Sequence, residues 1–231
     1  MLKFLVPVAS KPEDVSAQAT GEGQVTLSWQ MSDRKTQSSL KHFEVIVVPT
    51  QSSGALIPDH QMQDWPATHR RQEIKVTSVS QRDDPRYWHV IRKLRPDTHY
   101  IFYIRSMTDI GAGLKHVTKP IKTWAKIPRG KVRDFRVENK AVDFALSWQP
   151  PRLIDRCGFF SHYDITCNQI PLNLSANQPS FDWPAVQISA ITLFPKAEGS
   201  FKCNVRAYSR AGQGPWSDPV RFHLPSFDHS Q

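Results

Sequence analysis

The chain has 231 residues, enough for one large domain or two of ordinary size, and at 39% hydrophobic and 22% charged it has the composition of a folded globular protein, which excludes intrinsic disorder. The formal net charge of +9 at pH 7 is uneven: residues 1–128 carry 18 basic and 12 acidic side chains, the remainder 12 and 9. Eighteen prolines spread between short apolar runs favour β-structure with many turns over long helices.

No segment approaches the roughly 18 to 20 apolar residues that a membrane helix needs, so any anchor is expected outside this sequence. The longest apolar stretch near the start, residues 4–9, is shorter than a signal-peptide core, and Met1 reads as the start of an excised fragment.

The first clear strand is 24–30, where Val25, Leu27 and Trp29 alternate with polar residues, a period of two that turns one face to a core. Burying three such side chains contributes roughly 1.5 to 3 kcal/mol each before entropy is subtracted. The pattern returns at 143–149 as Phe144, Leu146 and Trp148, with the two tryptophans 119 positions apart, so the chain repeats itself. Strands with Phe43, Val45 and Val47, and with Tyr163, Ile165 and Cys167, follow in the two halves. Asp64-Trp65-Pro66-Ala67 reappears as Asp182-Trp183-Pro184-Ala185, in the same apparent register. Beyond it Leu94 follows Trp65 by 29 residues and Leu193 follows Trp183 by 10, which predicts an insertion of about 19 residues in the first half, before its fifth strand.

The stretch from Arg70 to Arg95 is rich in basic residues, and from Ile110 through Arg133 there is no acid at all. Arg70, Arg71, Arg92, Lys93, Arg95, Lys115, Lys119, Lys122 and Lys126 are the candidates for a belt that attracts an anionic partner. The bland reading is a solvated face and a lysine-guarded sheet edge. Basic residues are not expected to be interleaved with exposed aromatics, so nucleic acid is not an expected partner.

Leu94-Arg95-Pro96-Asp97-Thr98-His99-Tyr100, the strand after it, and Gly111-Ala112-Gly113 resemble the E–F corner, F strand and F–G loop of a fibronectin type III domain. Leu193-Phe194-Pro195, then Phe201, Cys203, Val205, Ala207 and Gly212-Gln213-Gly214-Pro215-Trp216-Ser217, are similar, with a corner two residues longer and Phe201 in place of the tyrosine. The resemblance implies an all-β chain of two fibronectin type III-like (immunoglobulin-like) β-sandwiches in tandem, elongated, over 1–126 and 127–231, with a linker at 125–130. It gives structural core roles to Trp29, Tyr100, Trp148 and Phe201, and it assigns the Tyr100 hydroxyl to the backbone of the preceding corner. It also makes the strands of Cys167 and Cys203 antiparallel neighbours, so the two are a candidate disulfide, with Cys157 at the other end of the domain. Asn173-Leu174-Ser175 is an N-glycosylation sequon in what reads as a polar loop.

We find no nucleophile with a base, paired carboxylates, phosphate loop or metal-ligand spacing, so neither catalysis nor a cofactor or metal is expected. The resemblance implies instead a non-enzymatic extracellular binding or spacer segment of a cell-surface receptor or adhesion protein, recognising another protein. Its place is the extracellular side of the plasma membrane, as part of a type I membrane protein, or secretion. Two alternatives stay open. Gly214-Pro215-Trp216-Ser217 also resembles the membrane-near part of cytokine receptors, for which Trp216 would stack on Arg206. The basic belt would suit a sulfated, heparin-type glycan.

Overall fold

A computed structural model describes residues 9–77, 86–140, 143–168, 170–175, 186–189 and 199–224, the 170–175 and 186–189 segments by their backbone pairing. It divides into two compact units, Met1–Trp124 and Ala125–Gln231.

The first unit contains β1 (Glu13–Gly21), β2 (Gln24–Gln30), a short helix α1 (Arg34–Ser38), β3 (Leu40–Thr50), β4 (Gln72–Val76), β5 (Tyr87–Ile91), β6 (His99–Thr108), β7 (Gly111–Ala112), β8 (His116–Val117) and β9 (Ile121–Lys122). One sheet runs β1-β2-β5; the other runs β4-β3-β6, with β7, β8 and β9 along the far side of β6. The second unit repeats the plan with β10 (Arg133–Lys140), β11 (Asp143–Gln149), α2 (Leu153–Arg156), β12 (Phe160–Cys167), β13 (Ile170–Ser175), β14 (Val186–Ser189), β15 (Gly199–Ser209), β16 (Gly212–Gln213) and β17 (Val220–Leu224). Its sheets are β10-β11-β14 and β13-β12-β15, the latter extended by β16 and β17. All pairings in these ladders are antiparallel. Two sheets face each other in each unit, which is why alternate residues are dry.

In the first core Trp29 meets Phe43 edge-on at 4.9 Å and stacks near Tyr87, among Val25, Leu27, Val45, Tyr100, Phe102 and Ile104. In the second, Trp148 meets Tyr163 edge-on at 5.4 Å, with Leu146, Ile165, Val205 and Ala207 around it. Phe201 is half-buried, packed on that core and stacked on Phe222 at 5.4 Å. The repeat extends to the backbone. Asp14 and Asp134 both adopt left-handed φ, 46° and 49°, where β1 and β10 bulge against their partners; aspartate tolerates that conformation better than most residues.

The insertion lies elsewhere than expected. Ten residues separate β4 from β5 and ten separate β13 from β14, whereas 21 separate β3 from β4 and two separate β12 from β13. The extra length of about 19 residues therefore precedes the fourth strand, not the fifth. Trp65 stands before β4, while Trp183, outside the described residues, follows β13, so the two Asp-Trp-Pro-Ala segments are not equivalent. A tight turn joins β12 to β13, where Asn168 at φ 50° bonds Lys202 and Ser200 of β15. In the first unit that turn is replaced by two 3-10 turns, Asp59–Met62 and Ala67–His69. The sequon is also displaced: Asn173 lies within β13 and not in a loop.

Candidate recognition surface

Each unit offers the outer face of its larger sheet, and the residues there pair across neighbouring strands. In the first, β3 and β6 place His42 opposite Met107, Glu44 opposite Arg105, Ile46 opposite Tyr103 and Val48 opposite Ile101. Arg105 grips the Glu44 carboxylate through Nε at 2.7 Å and a terminal nitrogen at 2.5 Å. In the second, β12 and β15 place His162 opposite Tyr208 and Asp164 opposite Arg206. Arg206 binds Asp164 at 2.9 and 3.0 Å and lies 4.2 Å from the centroid of the Trp216 ring, while His162 stacks on Tyr208 at 4.4 Å. Trp216 therefore covers an arginine already held by a carboxylate, in a row that runs Tyr208, His162, Asp164, Arg206, Trp216. The sequence reading found Arg206 and Trp216 but missed Asp164, Glu44 and Arg105. Opposite charges at outward positions of neighbouring strands were the available signal.

Ser217 has its own work: its Oγ accepts from Val205 N–H at 3.0 Å and donates to Asp218 O at 2.9 Å, where the last strand leaves β15. Thr118 and Thr123 accept from Phe102 and Thr98 N–H in the same way in the first unit. Hydroxyls thus replace ladder acceptors where the final strand is broken, and no buried N–H of these three is orphaned.

Tyr100 is fully buried and its hydroxyl oxygen accepts the Arg95 backbone N–H at 2.9 Å. Burial pushes the phenol well above its ordinary value, against the weaker opposing effect of that bond and of the Arg95 charge. Leu193, Phe194 and Pro195 of the second corner lie outside the described residues.

The anticipated basic belt is not one surface. Arg95 is 4% exposed, its guanidinium 4.2 Å from the Trp65 ring centroid, so it belongs to the packing of the insertion and not to a docking face. Arg70 donates to the carbonyls of Trp65 (2.9 Å) and Gln63, Arg71 pairs with Glu73 at 3.2 Å, and Lys122 pairs at 2.5 Å with the buried Asp97 carboxylate. Arg92, Lys93, Lys115 and Lys119 are exposed. Arg71 precedes β4 at one edge of the sheet and Lys115, Lys119 and Lys122 line the other, three strand spacings or about 14 Å away. Lys126 belongs to the second unit, where its carbonyl accepts from Ser209 Oγ. Between β1 and β8–β9 an open groove of about 420 Å³ is lined by Val15, Ala17, His116, Val117, Lys119 and Ile121.

Cys167 and Cys203 stand directly opposite in register on β12 and β15, and their sulfurs are bonded. The bridge replaces a Val47–Phe102 pair at the matching register of the first unit. Cys157 follows α2 in the left-handed conformation, unbridged and 9% exposed, and burial raises its thiol. Among the described residues no three His, Cys, Asp or Glu side chains group as metal ligands, and no helix is long and apolar enough to cross a membrane.

A family model described as the fibronectin type III domain matches residues 10–124, the whole described part of the first unit but for Ala9. The chain is built on fibronectin type III domains. The second half of the tandem carries the same strand order and the same ion-paired sheet face. The solved FN1-FN3 domains of chicken CNTN1 share the fold, with a TM-score of 0.58 at 11% identity over 95% of this chain and 68% of that one. Receptor-type tyrosine-protein phosphatase F of mouse is 24% identical over 215 residues, and the human protein 23% over 221, in each case 92% of this chain and 10% of the relative. Tyrosine-protein phosphatase Lar of Drosophila melanogaster is 24% identical over 139 residues, 58% of this chain and 6% of that protein. The fibronectin type III tandem thus spans about a tenth of the length of the mouse and human receptor-type phosphatases, and the matched region here is β-sandwich throughout its described length.

Proposed function

We propose that this fibronectin type III tandem is a non-enzymatic binding and spacing segment from the extracellular part of a cell-surface receptor or adhesion protein, and that it recognises another protein. The observation that carries the reading is a likeness to receptor-type proteins that takes in both domains, 92% of this chain, while occupying 10% of theirs. Function on this fold lives in sites grafted onto it, so the ligand follows from surface chemistry and not from the sandwich. The surface has the mixture that protein partners use: half-buried Tyr103, Ile101 and Met107 on the first outer face, the exposed Ile110 and Leu114 beside it, and arginines held flat by carboxylates. The buried Cys167–Cys203 bridge supports an oxidising compartment.

Two experiments test this. The chain expressed through a eukaryotic secretory pathway and then denatured is expected to show one reactive thiol, from Cys157, and reaction of three thiols would count against the extracellular placement. A multimerised form probed against arrayed ectodomain proteins is expected to bind a protein saturably, and to lose binding when Tyr103 and Arg105 are replaced by alanine. Retention on heparin that persists well above physiological salt, with no protein partner, would favour the glycan reading instead. The cytokine-receptor reading draws on the Arg206–Trp216 stack, but that stack has a single arginine and continues an ion pair that the first domain also has.

A further inference from the structure

The outermost strand of a sheet leaves a row of backbone N–H and C=O groups that can pair with another chain, and proteins obstruct such edges with charge, proline or bulk. Among the described residues each domain has such an edge beside its third strand, β4 in the first and β13 in the second. The ion pairs of the outer faces align the two. Across the first sheet the row reads Lys75, Glu44, Arg105; across the second it reads Asn173, Asp164, Arg206. β4 is guarded by charge, since Arg71, Glu73 and Lys75 are all exposed. β13 reads Ile-Pro-Leu-Asn-Leu-Ser and carries no charge. Pro171 removes one N–H from it, but a mostly apolar edge with a single proline is a poor barrier. At the register where the first domain has a lysine, the second has the acceptor of the chain's one Asn-X-Ser/Thr sequon.

We propose that Asn173 is an N-glycosylation site and that its glycan guards the open edge of β13, as the charged residues guard β4. The inference rests on the secretory reading above. In the transfer, the carboxamide nitrogen of Asn173 attacks C1 of the first sugar of a polyprenyl-pyrophosphate-linked oligosaccharide. A C1–N bond forms, the C1–O bond to the pyrophosphate breaks, the polyprenyl pyrophosphate leaves with that electron pair, and the amide proton passes to a base of the transferase. An edge strand has no neighbour on one side, which leaves space there for a large hydrophilic substituent.

The whole chain, secreted from eukaryotic cells, is weighed by mass spectrometry before and after treatment with a peptide N-glycosidase. One glycan is expected, with its amide converted to the acid at position 173 on removal. Light scattering over a concentration series then compares the glycosylated chain, the enzymatically stripped chain, Ser175→Ala and Asn173→Lys. The stripped chain and Ser175→Ala are expected to show a several-fold larger associated fraction, and Asn173→Lys, which lacks the sugar but restores the charge of the first domain, to stay monomeric. Stripping the folded chain keeps the test valid if Ser175→Ala secretes poorly. A secreted, disulfide-bonded chain without sugar overturns the inference and leaves the extracellular reading standing, as does a stripped chain as monomeric as the glycosylated one for the guarding role. Three reactive thiols overturn both.

Discussion

Tyr100 shows how one side chain fixes a corner. Its ring fills the first core while its oxygen takes the Arg95 N–H, a backbone donor that the turn would otherwise bury unpaired. Tyr100→Phe keeps the ring and removes the acceptor, and is expected to destabilise the first domain by about 1 to 3 kcal/mol in urea denaturation. No loss would mean that the bond contributes nothing. The role was legible because the corner residues and the alternation of the next strand are local. Arg95, five residues earlier, was misread as a surface charge. Whether an arginine faces water or a ring depends on what the chain brings over it, and Trp65 arrives from an insertion 30 residues away. Trp65→Ala removes that cover and the buried indole, and is expected to cost about 3 to 5 kcal/mol of first-domain stability, measured by the same denaturation.

At the scale of elements, the Cys167–Cys203 bridge ties β12 to β15 across a sequence separation of 36. A loop of that length, on the chain-entropy model, stabilises the second domain by about 4 kcal/mol. Cys167→Ala with Cys203→Ala is expected to lower the stability of that domain by roughly this amount and to leave the unfolding of the first unchanged. Alternation placed both cysteines on the inner face, and their strands were adjacent only through the family topology. The insertion was correctly sized but misplaced, because Asp-Trp-Pro-Ala occurs twice and looked like a register mark. Spacings between hydrogen-bonded strands, which the sequence does not display, show that the two copies precede and follow the fourth strand respectively. The sequon was misplaced for a related reason: its Asn and Ser read as a loop, yet pairing with β12 makes a strand of them.

At the scale of the molecule, the four histidines with depressed pKa values among the described residues, His69, His89, His99 and His116, all lie in the first domain. Burial holds each below the ordinary value near 6.5, and Arg95, Arg92, Lys122 and Lys11 respectively push the same way. For these groups the unfolded chain binds protons more readily than the folded one, so their contribution to stability is complete above pH 6.5 and is lost as pH falls below it. The melting temperature of the first domain is therefore expected to drop between pH 7 and pH 5, and a flat profile would argue against this burial. The two-sandwich plan was legible from alternation and repetition, since a period of two is the direct trace of a half-buried strand. The basic belt was not, because its clusters around Arg71 and around Lys115 to Lys122 sit at opposite edges of one sheet, an arrangement set by strand pairing and not by sequence.

The most direct test is to express residues 1–124 and 125–231 separately and compare their amide proton–nitrogen NMR spectra with that of the whole chain. Two self-sufficient cores predict dispersed spectra that superimpose on the parent away from the cut. A collapsed, undispersed spectrum from either piece would show instead that Trp29 and Trp148 depend on a common core.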